Sequence, residues 1–221
     1  MATAKKQDNV TRNLVIGMVV LVVAVGVIFG MVGSASKKNV KTPDSVDKSN
    51  GYAITFNKGL TGVPKLDIWE DFQCPVCDNF ESVNGAQIQQ WIAQKKVVAA
   101  YHMLSFIGPE SALEANAGAC AANENKFLQL HSVLYANQGK ENSGIWTNAS
   151  LIAAGSKAGI TSSTFAECVS SVKYKDYVNN IAADGNTKNI NATPTVFLNG
   201  KEITRNGQYF DAAQFAKTVL G

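Results

Sequence analysis

Leu66-Asp67-Ile68-Trp69-Glu70-Asp71-Phe72-Gln73-Cys74-Pro75-Val76-Cys77 decides how this chain folds. Its first four residues read as a short buried strand. A helical pattern follows the second cysteine. The two cysteines therefore fall where a strand turns into a helix, at the helix N-terminus. There the free backbone N–H groups and the helix dipole stabilise a thiolate. A stabilised thiolate attacks disulfides and also leaves readily from them. The stretch points to thiol–disulfide exchange.

Outward from it, the period of the apolar residues alternates between strand and helix. Tyr52 to Phe56 alternates weakly as a first strand, and Gly59 to Pro64 is a turn. Asp78 to Gln94 carries Phe80, Val83, Ile88, Trp91 and Ile92 near one helical face. Val97 to Met103 is a continuous apolar run, the signature of a buried parallel strand. From Pro109 to about Asp184 only helical signals occur. Asn148 and Thr161 are the expected N-caps of two of these helices. Thr195 to Leu198 and Lys201 to Thr204 flank Asn199-Gly200, a strong hairpin signal because both positions tolerate positive φ. Asp211 caps a last helix bearing Phe215, Val219 and Leu220. The expected fold class is α/β, a sheet split by a helical insertion at about 106–184.

The N-terminus has a different character. Leu14 to Gly33 is an uncharged run of 20 residues, long enough to span a bilayer as one helix and longer than the apolar region of a secretory signal. Ser34-Ala35-Ser36 also fits a cleavage site, and an uncleaved anchor is the preferred reading. Lysines and an arginine flank both ends, so charge does not orient the span. The N-terminus is placed inside because the tail at 1–13 has no fold of its own, whereas the long C-terminal part carries the redox site. Residues 34–50, rich in Ser, Lys, Asp and Asn, read as a flexible spacer, with the folded domain at 51–221. The net charge of +3 comes from dispersed basic residues, which excludes a nucleic-acid footprint.

Four segments, in order, carry a family likeness. Asp71 to Cys77 resembles the active-site segment of DsbA-like thioredoxin-fold proteins. Ala121 to His131 and Phe165-Ala166-Glu167-Cys168 look like the family's insert helices, and Ala192 to Lys201 resembles its cis-proline strand and hairpin. The likeness spans roughly 52–220. The anchored form is similar to those of Gram-positive bacteria, actinobacteria in particular. The resemblance implies a thioredoxin fold with an inserted helical domain, preceded here by one transmembrane helix. It implies that Cys74 is the nucleophile and Cys77 the resolving cysteine. It also implies that Pro194 is a cis-proline against the disulfide, and that Thr193 offers backbone to a substrate strand. No bound cofactor and no metal are implied, because the cysteines hold the electrons. The implied partners are thiols of unfolded secreted proteins, a quinone-linked membrane oxidase of the DsbB or VKOR type, and the bilayer. Together with the apolar run, this places the chain at the cell membrane, single-pass, with the catalytic domain on the extracytoplasmic side; nothing in the sequence speaks to oligomeric state, and a monomer is the default.

Two positions depart from the family pattern. Many members carry a carboxylate six residues before the first cysteine, where this chain has Ile68. Glu70 shares the strand parity of Ile68 and is the candidate proton relay, while Asp67 faces the other way. Glu70 and Asp71 also read as a solvated strand end. The second departure is Val76, where the best-known oxidants have a histidine that stabilises the thiolate. The disulfide is therefore expected to be less oxidising than theirs, between about −120 mV for a strong oxidant and about −270 mV for thioredoxin.

The remaining cysteines, Cys120 and Cys168, lack a partner at motif spacing. A structural disulfide stapling two insert helices outweighs a second redox couple. The same spacing weighs against zinc. His131 reads as a packed core histidine, and Trp91 and Trp146 as packing residues. A reductase or isomerase, or a peptide-binding module without turnover, are the competing functions.

Overall fold

The computed structural model describes residues 40–221, so the tail at 1–13 and the apolar run at 14–33 lie outside the described residues. Among the described residues no helix is long and apolar enough to cross a membrane.

Six strands form one sheet in the order β1-β2-β4-β3-β5-β6. The strands are β1 Val46–Asp47, β2 Ala53–Phe56, β3 Lys65–Glu70, β4 Val98–Met103, β5 Thr195–Leu198 and β6 Lys201–Glu202. β3 and β4 pair in parallel, with Ile68 opposite Tyr101 and Trp69 opposite His102. β5 runs antiparallel to β3, with Ile68 opposite Val196. Among the described residues seven α-helices and a 3-10 turn at Gly207–Phe210 accompany the sheet: α1 Pro75–Ala93, α2 Pro109–Asn123, α3 Phe127–Ala136, α4 Asn148–Lys157, α5 Ser163–Ser170, α6 Lys175–Thr187 and α7 Ala212–Leu220. Helices α2 to α6 all lie between β4 and β5, which is the expected insertion.

Strand alternation sends Leu66, Ile68 and Glu70 to one face of β3 and Asp67 and Trp69 to the other. On the first face α1 packs its apolar side. Phe80 meets Phe215 edge-on at 5.4 Å between ring centroids, and Trp91 stacks on the same ring. Each such buried side chain contributes about 1.5–3 kcal/mol. On the second face Trp69 stacks on His102 at 3.8 Å, and α6 approaches through Gly185, where an added Cβ would lie 3.3 Å from the indole.

Several boundaries differ from the sequence reading by a residue or two. Thr147, not Asn148, caps α4, because its hydroxyl and that of Ser150 form a reciprocal capping box. Ser162, not Thr161, caps α5 through the Phe165 N–H. The segment read as a spacer contains β1, whose Val46 and Asp47 pair with Ile54 and Ala53, so the sheet begins before residue 51. The hairpin is as expected, with Asn199 at φ 52° and Gly200 at φ 82°.

Candidate active site

Cys74 is the N-cap of α1 and Pro75 its first helical residue. Proline suits that place because its missing N–H has no partner to lose and its fixed φ is already helical. Cys74 is extended, at φ −75° and ψ 117°, so its side chain sits over the exposed first turn. Both thiols are free. Cys74 retains slight exposure, whereas Cys77 is fully buried.

The two thiols titrate apart. Cys74 is lowered to about 6, chiefly by the hydrogen bond from the Cys77 thiol and against the cost of burial. The Thr193 side chain and the backbone N–H groups of Cys77 and Val76 add to the lowering. The thiolate of Cys74 is thus favoured near neutral pH. Burial pushes Cys77 well above the usual thiol range, and the charges of Glu70 and Cys74 reinforce it. One sulfur is therefore ready to attack while the other holds its proton.

Opposite the pair lies the loop before β5. The Thr193–Pro194 peptide bond is cis, as the resemblance implies. As a thiol, Cys74 donates to the Thr193 carbonyl at 3.5 Å. The buried Thr193 hydroxyl has no other partner and is free to donate to the thiolate. β5 is tied back to α1: the Tyr209 hydroxyl accepts from Val196 N–H at 2.9 Å, and Asn84 of α1 donates to the Tyr209 carbonyl at 2.7 Å.

The turn before Cys74 is clamped by Asp71 and by Gln73 and Gln138, whose roles the sequence reading did not foresee. Asp71 is fully buried. It accepts Gln73 N–H on one oxygen and Phe106 and Ile107 N–H on the other. Gln73 donates to Ser111 and accepts from Asn142 N–H. Gln138 donates to the carbonyls of Phe72 and Cys74. Apart from the local Asp71–Gln73 contact, these bonds join partners some 35 to 70 residues apart, so no local pattern announces them.

Glu70 and Asp71 are not a solvated strand end. Both are fully buried, because β3 ends beneath α3 rather than at the surface. Burial raises Glu70 to about 8 against an opposing hydrogen bond with Glu81, and the Cys74 charge adds to the rise. Nor is His131 merely packed among apolar groups. Its Nε2 lies 3.0 Å from Glu70 Oε2 and its Nδ1 3.7 Å from Glu81 Oε2. Glu81 follows Cys77 by four residues on α1, so the helical repeat could have placed it under the thiol. Glu70, Glu81 and His131 are the one group of three metal-capable donors among the described residues, with their donor atoms within 4.8 Å of one another. The two nitrogens of one ring, turned to two different carboxyls, make the pattern of shared protons rather than of a closed ligand set.

Cys120 of α2 and Cys168 of α5 form a buried disulfide far along the chain from the CPVC turn, as the spacing suggests. Trp91 and Trp146 are buried, consistent with packing roles. A cavity of about 660 Å³ lies on the other face of the sheet, lined by Asn50, Lys65, Asp67, His102 and Lys188, and none of Cys74, Cys77, Thr193 or Pro194 reaches it.

A strand-to-helix dithiol facing a cis-proline loop at the end of a parallel pair is the arrangement of a thioredoxin-type site, and a thioredoxin family model matches residues 63–217. The chain belongs to the thioredoxin family. Among solved structures, this family member is similar to MdbA, a thiol-disulfide oxidoreductase from Actinomyces oris. The identity is 25%, covering 85% of this chain and 96% of that one, with a TM-score of 0.70. It is similar to DsbA from Mycobacterium tuberculosis at 27% identity, over 76% of this chain and 93% of that one, with a TM-score of 0.64. BdbD from Bacillus subtilis, at 22% identity over 82% and 97% of the two chains and a TM-score of 0.66, speaks for the fold alone. No curated protein matches the chain. The DsbA-like resemblance drawn from the CPVC, insert and TPT segments is borne out, and this thioredoxin-family member is of the DsbA-like thiol–disulfide oxidoreductase type.

Proposed function

We propose that this chain introduces disulfides into secreted or cell-surface proteins. The observation that carries the reading is the unequal setting of the two thiols of one CPVC turn: Cys74 at the helix N-cap against the cis-proline loop, which lowers it to about 6, and Cys77 fully buried, which raises it. A low thiol pKa makes Cys74 a good leaving group and favours the reduced form of the pair, so the disulfide tends to be handed on. In the working direction a substrate thiolate attacks Cys74 of the Cys74–Cys77 disulfide, and Cys77 departs as a thiolate and takes a proton. A second substrate thiolate then attacks the substrate sulfur of the mixed disulfide and releases the dithiol. Glu70 is the proton donor to Cys77 in this scheme. Pro194 and Thr193 present the edge on which an extended substrate lies.

The rim of the site supports an unfolded polypeptide as the substrate. Val76, Phe106 and Ile145 are each about half exposed. Phe106 is held beside the turn by Asp71, and Ile145 stands against the loop that carries Gln138. Apolar side chains exposed together around a reactive sulfur suit apolar segments that a folded partner would hide.

In this reading residues 14–33 anchor the domain on the extracytoplasmic side of the cell membrane. A quinone-linked membrane oxidase of the DsbB or VKOR type restores the disulfide, and the domain works as a monomer. Val76 keeps a reductase or isomerase as the second reading, since its side chain, unlike a histidine, offers Cys74 no hydrogen bond beyond that of its backbone N–H. The equilibrium reduction potential of the Cys74–Cys77 pair separates the two. Because Cys74 lies between thioredoxin at about 7 and DsbA at about 3.5, an intermediate potential is expected. A value near or above about −180 mV supports the oxidase, and one near about −270 mV sinks it in favour of a reductase.

A further inference from the structure

In the scheme above Glu70 gives its proton to Cys77 and must recover one. Glu70 closes β3 and is fully buried. Its charge is felt at Cys77 on one side. On the other side Glu70 Oε2 meets Nε2 of His131 at 3.0 Å, a hydrogen bond. The second ring nitrogen, Nδ1, faces Glu81 Oε2 at 3.7 Å. One imidazole therefore addresses two carboxyls through its two nitrogens. Glu70 Oε1, Glu81 Oε1 and His131 Nδ1 have no hydrogen-bond partner, although all three are buried. Buried polar atoms are normally matched, so a cluster left open on each member needs a reason. Exposure rises along the row, from 0% and 1% for the side chains of Glu70 and His131 to 6% for Glu81.

We propose that His131 passes protons between Glu70 and Glu81, so that the three side chains form a relay connecting the buried Cys77 with solvent. The inference rests on the oxidoreductase reading above. The ring is suited to the task because burial holds it neutral. A neutral imidazole carries one N–H and can exchange tautomers. The titratable groups facing it are Glu70 from β3, Glu81 from α1, Tyr101 from β4 and Tyr135 from α3. Both tyrosines are held well above their usual range by burial and by the carboxyl charges, and so stay neutral.

The proton and electron balance is simple. A substrate thiolate bonds to Cys74 sulfur, the Cys74–Cys77 bond breaks, and Cys77 leaves with the electron pair. Cys77 takes the Glu70 proton. Glu70 takes the proton on His131 Nε2 as Nδ1 takes one from Glu81, and water restores Glu81. One proton enters from solvent, and the ring ends in its other tautomer. When the disulfide is remade, the proton leaves by the same path and the ring resets. The Nδ1–Glu81 gap must close by about half an ångström to reach hydrogen-bond range.

The test uses the full chain and two variants. His131→Gln keeps a donor and an acceptor but cannot exchange tautomers. Gly85→Ala leaves all three residues in place but sets a Cβ 2.5 Å from Glu81 Oε2, which moves that carboxyl off the ring. The readouts are the rate of disulfide reduction by a small thiol over pH 5–9, the same rate in D2O, and the pH profile of Cys74 alkylation. General acid–base groups contribute about 10²–10⁴-fold, so H131Q is expected to slow the step about tenfold or more at pH 7. G85A slows it less. H131Q also lowers the solvent isotope effect from a several-proton to a one-proton value, with Cys74 alkylation unchanged. Variants that match the wild type at every pH overturn the relay. So does a slowing that merely follows a shifted Cys74 alkylation profile. A wild-type chain that performs no exchange at Cys74 overturns instead the reading on which the relay rests.

Discussion

The two cysteine pairs of this chain have the same atoms and opposite fates. Cys74 and Cys77 sit on one helical turn, with backbone N–H groups aimed at the first sulfur and a buried carboxyl behind the second. Cys120 and Cys168 join two helices across 48 residues, with both sulfurs shut inside the insertion. The first pair is built to change partners and the second to keep one. The difference lies in what surrounds the sulfur: a helix N-terminus and an unpartnered hydroxyl in one place, packed helices in the other.

The sharpest way to break this comparison is to remove each pair in turn. Cys74→Ser is expected to reduce catalysed oxidation of a reduced, unfolded substrate to the uncatalysed rate. The double variant Cys120→Ala/Cys168→Ala keeps the exchange rate within about twofold, because no atom of that pair meets the reacting sulfurs. A double variant that loses exchange would mean that the second pair belongs to the mechanism.

Stability reverses the ranking. Opening the Cys120–Cys168 loop, of 48 residues in separation, is expected to cost about 2–4 kcal/mol in urea unfolding. Reducing the short Cys74–Cys77 loop costs less, since it constrains the unfolded chain less. Equal losses would contradict the division of labour.

A smaller effect sits between the two regions. Glu114 shares α2 with Cys120, and burial pushes it up to about 9, with the charges of Asp71 and Glu110 adding to it. Neither of its carboxyl oxygens has a partner. It is protonated in the fold and ionised in the unfolded chain over the window from about 4.5 to about 9. The folded state then binds more protons, so stability falls as pH rises through that window. Glu70 acts in the same direction up to about 8. Glu114→Gln removes one such group. Its melting temperature is expected to exceed that of the wild type by roughly 5–10 °C at pH 8 and to converge with it near pH 5. A constant offset at all pH values would show that Glu114 does not titrate on unfolding.

Local chemistry announced much of this. The CPVC turn, the Asn199-Gly200 hairpin and the Asp211 cap each depend on residues within a few positions, and each appears where expected. Strand parity sent Glu70 toward α1 and Asp67 away from it, where Asp67 meets His102. The rest depended on long-range packing. His131 reads as one more member of an apolar helical face until α3 crosses the end of β3 and sets it on Glu70, 61 residues away. β1 is two residues in a polar segment, too short for a periodic signal. The cap shifts at Thr147 and Ser162 arise where neighbouring residues could all serve, and tertiary position chooses among them.

The central claim is that the environment divides the two thiols of one turn, and mass-resolved alkylation of the reduced chain tests it most directly. The account predicts that Cys74 is modified with a half-maximal rate near pH 6, while Cys77 resists modification throughout pH 5–9. A Cys74 that titrates like an ordinary thiol, above about 8, or a Cys77 modified as fast as Cys74, would contradict it.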